Sequence, residues 1–307
     1  MKRTLSLPLL ALGLAAAPLA AQRPDAALQA KLESIVTGFG GDAGVYVRHL
    51  RTGASAEIRA DDVFPTASMI KVPLLLTLYD RVERGALALD SILPYPDTLK
   101  YQYEEITDVT GYLEPGEKLP LSHLAFLMVA LSDNVASLWI QALVGGGVAV
   151  NEWLAAHGFR ETRVNSRTPG REAARETYGW GQTTPREIAE VMVMIREGRA
   201  VSPRASEEMY RLLTRSHWDD EALSQIPPTV QAASKQGSVD RSRSEVLVVN
   251  APGGDYVLAV ITKNQRDTTY AADSEGHRLI RSVSRAVYEH FDPGDPWRPL
   301  PARTPRE

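Results

Sequence analysis

The sequence predicts an α/β fold of the α+β type, in which an antiparallel sheet is flanked by terminal helices and an all-helical lobe is inserted. Strand-like runs lie near both ends of the chain, at 43–48 and 55–59 and again between 233 and 263. The chain between them carries apolar residues at helical spacing. Because a block of helices separates the two groups of strands, we expect both ends of the chain to contribute to one sheet.

Each element has a local signal. The helix predicted over 26–37 has Leu28 and Leu32 on one side, and the turn-rich Arg51-Thr52-Gly53 joins the first two strands. Three short strands follow Pro228, where strand character first returns, and an amphipathic helix is predicted over 275–291. Helix-period apolar residues predict the middle helices, over 69–84, 121–131, 135–144, 148–157, 185–197 and 206–214.

The ends of the chain differ in character from the rest. Residues 1–21 have the basic start, the apolar run and the small final residues of a secretory signal peptide, and the apolar run is short for a retained membrane anchor. Residues 292–307, rich in proline and charge, are predicted to be a flexible tail. Between them we expect one domain, 22–291, with 22–65 and 215–291 in an α/β lobe and 66–214 in a helical lobe.

Composition excludes several classes of function. The 307 residues are 44% apolar and 23% charged, which suits a globular protein with a sizeable core. A formal net charge of -4 with scattered basic residues gives no reason to expect a nucleic acid or an anionic membrane as partner. The chain has no cysteine, and its histidines lack metal-ligand spacing, so neither a metal nor an organic cofactor is implied. We expect a secreted or periplasmic monomer without a stable membrane anchor.

The most informative stretch is Ser68-Met69-Ile70-Lys71, at the start of a long apolar run. If the run is helical, the Ser68 hydroxyl and the Lys71 amine lie on one face and can touch. A serine hydroxyl needs an adjacent base to act as a nucleophile, and a lysine serves when burial lowers its pKa. By itself this spacing is also compatible with a helix-capping serine beside an exposed lysine.

Two further polar motifs favour a catalytic serine–lysine pair over a helix-capping serine. Ser132-Asp133-Asn134 follows an apolar helical segment, and Lys235-Gln236-Gly237-Ser238 precedes a strand-like run. With Ser68 and Lys71, their order and separation match the Ser-x-x-Lys, Ser-Asp-Asn and Lys-Thr-Gly elements of class A β-lactamases and penicillin-binding proteins. The chain resembles this superfamily from about 25 to 291, which implies a β-lactamase/transpeptidase-like fold and makes 22–291 a catalytic domain.

The resemblance implies a role for each matching residue. Ser68 would attack the carbonyl carbon of a β-lactam ring, Lys71 would take its proton, and Ser132 would pass a proton to the departing nitrogen. The backbone N–H groups of Ser68 and Ser238 would form the oxyanion hole.

The same resemblance implies a set of substrate-binding residues. Lys235 would lower the pKa of Ser132 and attract a substrate carboxylate, and Gly237 would lie beside it in the site. Asn134 would bind the substrate's acylamino group. Arg243 is expected to pair with a substrate carboxylate, with Arg241 as its competitor and a surface arginine as the other possibility.

Two positions depart from the family pattern. If positions are counted back from Thr184-Pro185, Thr168 stands where a class A β-lactamase carries the glutamate that activates water for deacylation. Glu172 or Glu176 could replace that glutamate only in a rebuilt loop. Gln236 stands where the family has a hydroxyl residue that binds the substrate carboxylate.

These departures leave three functions open. The first is β-lactam opening through an acyl-Ser68 intermediate. The second is a D,D-peptidase acting on peptidoglycan-like substrates, or an esterase, that releases β-lactams slowly. The third is a non-catalytic protein that binds cell-wall fragments.

Overall fold

The computed structural model describes residues 22–96 and 108–300. The predicted signal peptide and the last residues of the predicted tail lie outside these ranges. Among the described residues, no helix combines the length and the apolar character needed to cross a bilayer.

A six-stranded sheet is built from both ends of the chain, as the sequence predicts. The strands are β1 (Arg23–Pro24), β2 (Asp42–His49), β3 (Ala54–Ile58), β9 (Ala232–Val239), β10 (Ser242–Val249) and β11 (Tyr256–Lys263). Their order in the sheet is β1-β3-β2-β11-β10-β9. All neighbours pair antiparallel except β1 and β3, which are parallel. Strand β9 is therefore at one edge of the sheet.

Most of the described helices lie between the two groups of strands. They are α1 (Ala26–Val36), α2 (Lys71–Glu83), α3 (Leu121–Ala130), α4 (Asn134–Leu143), α5 (Gly146–Ala156), α6 (Glu172–Tyr178), α7 (Pro185–Arg196), α8 (Pro203–Leu213) and α9 (Glu275–Phe291). Capping side chains define where several of them begin: Asp25, Asp133, Thr184 and Ser202 each accept a backbone N–H from the first turn of the next helix.

The sheet separates two apolar cores. Successive side chains of a strand point to opposite faces, so Val246 and Val248 of β10 join the core shared with the middle helices, whereas Leu247 and Val249 join the core formed with α1 and α9. Because both faces are covered, β10 is buried along its whole length. Strand β9 runs beside β10 at the edge, which positions Lys235 and Gly237 near the helical lobe.

The middle of the chain contains short strands that the sequence does not predict, so the prediction that strand character returns only after Pro228 is wrong. They are β4 (Phe64–Pro65), β5 (Ile92–Pro94), β6 (Lys118–Pro120), β7 (Arg163–Val164) and β8 (Gly181–Thr183). Helix α6 is also missed, since it has seven residues and none of them is buried. Runs this short show no measurable periodicity.

The described part of the predicted tail contacts the last helix. The Tyr288 hydroxyl donates to an Asp295 carboxylate oxygen at 2.6 Å, and Arg285 lies over the Trp297 ring. The chain that leaves α9 therefore runs back along it as far as Trp297.

Candidate active site

Ser68 lies in a short 3-10 turn, Ala67–Ile70, that leads directly into α2. The turn begins at Ala67, whose φ of 44° is in the left-handed region that non-glycine residues rarely adopt. Met69 and Ile70 are buried, whereas Ser68 is only half-buried. The predicted helix start at 69 thus falls in a tighter turn, and its buried flank holds Ser68 at the edge of the helical lobe.

Lys71 is the first residue of α2 and is completely buried. Its Nζ lies 3.1 Å from Ser68 Oγ, 3.1 Å from Ser132 Oγ and 2.8 Å from Asn134 Oδ1, and it also donates to the Ser132 carbonyl. Two residues that lie 61 and 63 positions away from Lys71 in sequence therefore meet at its amine.

Burial lowers the pKa of Lys71 from its usual value to about 7, and the nearby carboxylates of Asp108 and Asp133 oppose that shift. An amine with a pKa of about 7 is partly unprotonated at neutral pH. Lys71 can therefore accept a proton from Ser68, which an ordinary lysine does not do.

Ser132 sits in a strained connection between α3 and α4. Its φ is 60°, and the next residue, Asp133, caps α4 by accepting the Ala136 N–H at 2.8 Å. Asp133 also accepts the Thr110 N–H at 2.9 Å and the Thr110 hydroxyl. These bonds fix the backbone so that the Ser132 hydroxyl and carbonyl both face Lys71.

Lys235 completes the site from the edge strand β9. It is completely buried, and its Nζ donates to Ser132 Oγ at 3.0 Å, to the Gln236 carbonyl at 3.0 Å and to Gln236 Oε1 at 2.7 Å. Burial, followed by the charge of Lys71, holds the pKa of Lys235 well below its usual value, whereas the Glu245 carboxylate opposes that shift. Ser132 Oγ thus bridges two buried amines.

Gly237 lets β9 approach Ser68 closely. A Cβ at this position would lie 2.7 Å from the Ser68 backbone nitrogen, 2.6 Å from the Thr66 carbonyl oxygen and 2.9 Å from Ser244 Oγ. Real Cβ atoms essentially never come this near to backbone atoms, so the approach requires glycine. Ser238 follows it, half-buried, on the strand beside the Ser68 turn.

Arg243 does not take part in this network. It lies on β10 opposite Ser238 and is completely buried. Its Nη1 donates to the Val239 and Ser242 carbonyls, and its Nη2 donates to the Thr269 carbonyl at 2.6 Å. The guanidinium is thus bonded to backbone rather than directed at Ser68.

The loop that contains Thr168 presents no carboxylate in the described hydrogen-bond network of Ser68. Thr168 is buried, and its hydroxyl donates to the Ser166 carbonyl at 2.9 Å. The Thr168 side chain packs against Gly147. Glu172 and Glu176 are exposed, and Glu172 accepts the Gly170 N–H. Thr168 and Glu172 line the same surface cavity.

The structure adds one residue that sequence reasoning missed. Asp108 is buried, and its carboxylate accepts the Asn134 backbone N–H at 2.9 Å, so it holds the residue that bonds to Lys71. Its charge also raises the pKa of Lys71. Asp108 lies in a stretch without apolar periodicity and outside the three motifs, so the sequence alone carries no signal for it.

Comparisons with known proteins agree with this geometry. A model of the beta-lactamase enzyme family matches residues 27–291. A beta-lactamase of Rhodobacter capsulatus is 24% identical over 280 residues, which cover 91% of this chain and 93% of the relative. The carbapenem-hydrolyzing beta-lactamase KPC of Klebsiella oxytoca is 26% identical over 271 residues, which cover 85% of this chain and 86% of the relative.

Solved structures agree as well. PBP-A has a TM-score of 0.79 at 27% identity, and the match covers 90% of this chain and 99% of PBP-A. A beta-lactamase from Sphaerobacter thermophilus has a TM-score of 0.76 at 26% identity, with 88% and 99% covered. The chain belongs to the beta-lactamase enzyme family and is a class A β-lactamase-like serine hydrolase.

Proposed function

We propose that this protein opens the cyclic amide of β-lactams through an ester formed on Ser68. The proposal is supported above all by one continuous set of contacts, from Ser68 Oγ to Lys71 Nζ at 3.1 Å, on to Ser132 Oγ at 3.1 Å, and on to Lys235 Nζ at 3.0 Å. These contacts connect a nucleophile, Ser68, with a base, Lys71. They also connect the base with Ser132, which can pass a proton to the leaving group.

In the acylation step, unprotonated Lys71 takes the Ser68 hydroxyl proton while Ser68 Oγ bonds to the lactam carbonyl carbon. The resulting oxyanion accepts hydrogen bonds from the backbone N–H groups of Ser68 and Ser238. The close approach at Gly237, which brings β9 beside the Ser68 nitrogen, supports this pairing.

Collapse of the oxyanion breaks the bond between carbonyl carbon and lactam nitrogen. The nitrogen takes a proton from Ser132 Oγ, and protonated Lys71 returns the proton to Ser132, so the Ser68 proton ends on the product nitrogen. Lys235 lies within hydrogen-bond distance of Ser132 Oγ and favours its deprotonation. Asn134 orients Lys71 through its side-chain carbonyl. Water then hydrolyses the Ser68 ester.

Consumption of benzylpenicillin under excess substrate tests this function. Wild-type protein should consume more than one equivalent of the β-lactam, and Ser68→Ala should consume none. A matched control is Ser216→Ala, since Ser216 is half-buried and its hydroxyl donates to the Trp218 carbonyl rather than to any site residue. Equal consumption by wild type and Ser68→Ala would remove Ser68 from the reaction.

A second function, a D,D-peptidase or esterase that traps β-lactams, is favoured by the loop around Thr168. A slow second step is expected if no carboxylate there activates water, because the acyl-enzyme then accumulates. The similarity to PBP-A points the same way, since a mutant of PBP-A has a solved acyl-enzyme complex with penicillin G.

The time course separates these functions. Continuous consumption of benzylpenicillin favours a β-lactamase. One equivalent consumed, together with turnover of a D-Ala-D-Ala peptide or a nitrophenyl ester, favours the trapping enzyme. Binding of cell-wall fragments that Ser68→Ala leaves unchanged, with no adduct at any time, favours the non-catalytic protein.

We further propose that residues 1–21 direct export and that the mature chain is a secreted or periplasmic monomer of one catalytic domain. The basic, apolar and small-residue order of the first residues supports export. The test is the N-terminal sequence and cell fraction of the protein expressed from the full-length gene. Retention of Met1 in the cytoplasm would contradict it.

A further inference from the structure

The Gln236 side chain accepts a hydrogen bond from the ammonium group of Lys235. An ammonium has three N–H donors. In this structure they meet three acceptors: Ser132 Oγ, the Gln236 backbone carbonyl and, at the shortest distance of 2.7 Å, the Gln236 side-chain carbonyl. Gln236 is next in sequence to Lys235, and its side-chain amide folds back toward the Lys235 ammonium instead of extending away from the strand.

We propose that Gln236 is a specificity residue that fills, from within the chain, the place where Lys235 would bind a substrate carboxylate. The enzyme then selects β-lactams or related acyl donors that carry a neutral group beside the scissile bond. This inference rests on the proposed function, since it concerns the substrate that acylates Ser68.

The position of Gln236 places it beside the reacting atoms. Gly237, the next residue, lies so close to the Ser68 nitrogen that a Cβ would come within 2.7 Å of it. Lys235, the preceding residue, bonds to Ser132 Oγ. A substrate on Ser68 that reaches toward Lys235 must therefore pass the Gln236 side chain.

A carboxylate can bind Lys235 only by displacing an acceptor. Ser132 Oγ is needed for proton transfer in the proposed reaction, and the Gln236 backbone carbonyl is fixed in the strand. Gln236 Oε1 is therefore the acceptor that can rotate away. Its amide would then lose a hydrogen bond to a cation while it is only 8% exposed. A neutral substrate group leaves this bond in place.

Two further observations reduce the attraction for an anion. Burial holds the pKa of Lys235 well below its usual value, because a low-dielectric environment disfavours the charged form that would attract an anion. Arg243, the other candidate cation, donates its terminal N–H groups to backbone carbonyls and lies over the Tyr270 ring at 4.3 Å. Neither group is arranged to receive a carboxylate without rearrangement.

The test compares benzylpenicillin with its methyl ester, in which a neutral ester replaces the carboxylate and the rest of the molecule is the same. Acylation rates of wild type, Gln236→Thr and Gln236→Glu are followed by intact-protein mass. In Gln236→Thr the shorter hydroxyl side chain frees one donor of Lys235, so the ratio of carboxylate to ester rates should rise by about tenfold or more. In Gln236→Glu, which places a fixed anion at the same point, the ratio should fall by about tenfold.

Gln225→Thr is the matched control. Gln225 is equally exposed, at 8%, and its amide donates to Ser224 rather than to a site residue. Its ratio should equal that of the wild type. A ratio unchanged in both Gln236 variants, with both substrates still forming adducts, overturns this inference and leaves the proposed function standing. Absence of adducts together with no consumption of either substrate, in wild type and variants, would instead overturn the proposed function itself.

Discussion

The side-chain carbonyl of Asn134 accepts a hydrogen bond from Lys71 Nζ at 2.8 Å. The backbone N–H of Asn134 is in turn held by the Asp108 carboxylate at 2.9 Å. The base of the proposed reaction is thus oriented by a residue that a second buried group fixes in place, which is how a flexible lysine is confined to one geometry.

Replacing Lys71 with methionine tests its role as base. Methionine fills a similar volume without an amine, so acylation by benzylpenicillin should slow by about a hundredfold to ten-thousandfold. The apolar stem of the side chain is kept, so the protein should remain folded, which its melting transition checks. Rapid-quench mass measurements give the rate, and a wild-type rate in Lys71→Met would exclude Lys71 as the base.

The pH dependence of acylation should reflect the pKa of Lys71, which burial lowers to about 7. Below this pKa Lys71 is protonated and cannot accept the Ser68 proton, so the rate should rise with pH and level off above it. Rates measured across the neutral range test this. A rate that falls as pH rises through neutrality would contradict the assignment.

Asp108→Asn should shift that profile. The Asp108 charge raises the pKa of Lys71, so its removal should move the midpoint to lower pH, while the asparagine carbonyl can still accept the Asn134 N–H. Asp273→Asn is a suitable control, because Asp273 is exposed and makes no described hydrogen bond to Lys71 or Asn134. A midpoint that stays in place or moves upward in Asp108→Asn would show that the two groups do not interact as described.

Gly237→Ala tests the close approach of β9 to the nucleophile. The added methyl group meets the Ser68 nitrogen and the Thr66 carbonyl, so the strand must move away and stability should fall by about 1–3 kcal/mol. Acylation should slow because the oxyanion donors separate. Gly294→Ala, which meets no atom within 4 Å, should change neither quantity. Wild-type acylation in Gly237→Ala would argue against the proposed oxyanion hole.

Thr168→Glu should speed release of the acyl-enzyme. The resemblance places a water-activating glutamate at this position, and the surface cavity beside Thr168 offers room for a longer side chain. The half-life of the Ser68 adduct should shorten by about tenfold or more, within the range expected of a general base. Glu172→Gln, a change at an exposed residue, should leave it unchanged. If Glu172→Gln lengthens the half-life instead, the base is Glu172 in the rebuilt loop.

Sequence patterns were sufficient for the long elements and insufficient for the short ones. Helices such as α2 and α9, and strands such as β10, bury apolar side chains at a clear period, and their positions agree with prediction to within a few residues. The connections around Ser68 and Ser132 depend on left-handed residues, Ala67 and Ser132, that no propensity favours. Tertiary contacts hold them in place.

Sequence patterns likewise predict some features of the candidate site and not others. The three motifs brought Lys71, Ser132 and Lys235 into one prediction because each has a recognisable neighbour pattern. The contribution of Asp108 and the fold-back of Gln236 onto Lys235 depend on side-chain directions that a one-dimensional pattern does not encode. Arg243 lies on the strand beside Ser238, and its backbone partners follow from burial rather than from spacing.

The most direct test of the account is the mass of the protein after brief exposure to benzylpenicillin. We expect wild-type protein to gain the mass of one intact penicillin, with the addition located on the proteolytic peptide that contains Ser68, and Ser68→Ala to gain nothing. A wild-type protein that stays unmodified at every time point while consuming no β-lactam, or an adduct of equal yield in Ser68→Ala, would contradict the central claim that buried Lys71 makes Ser68 a nucleophile.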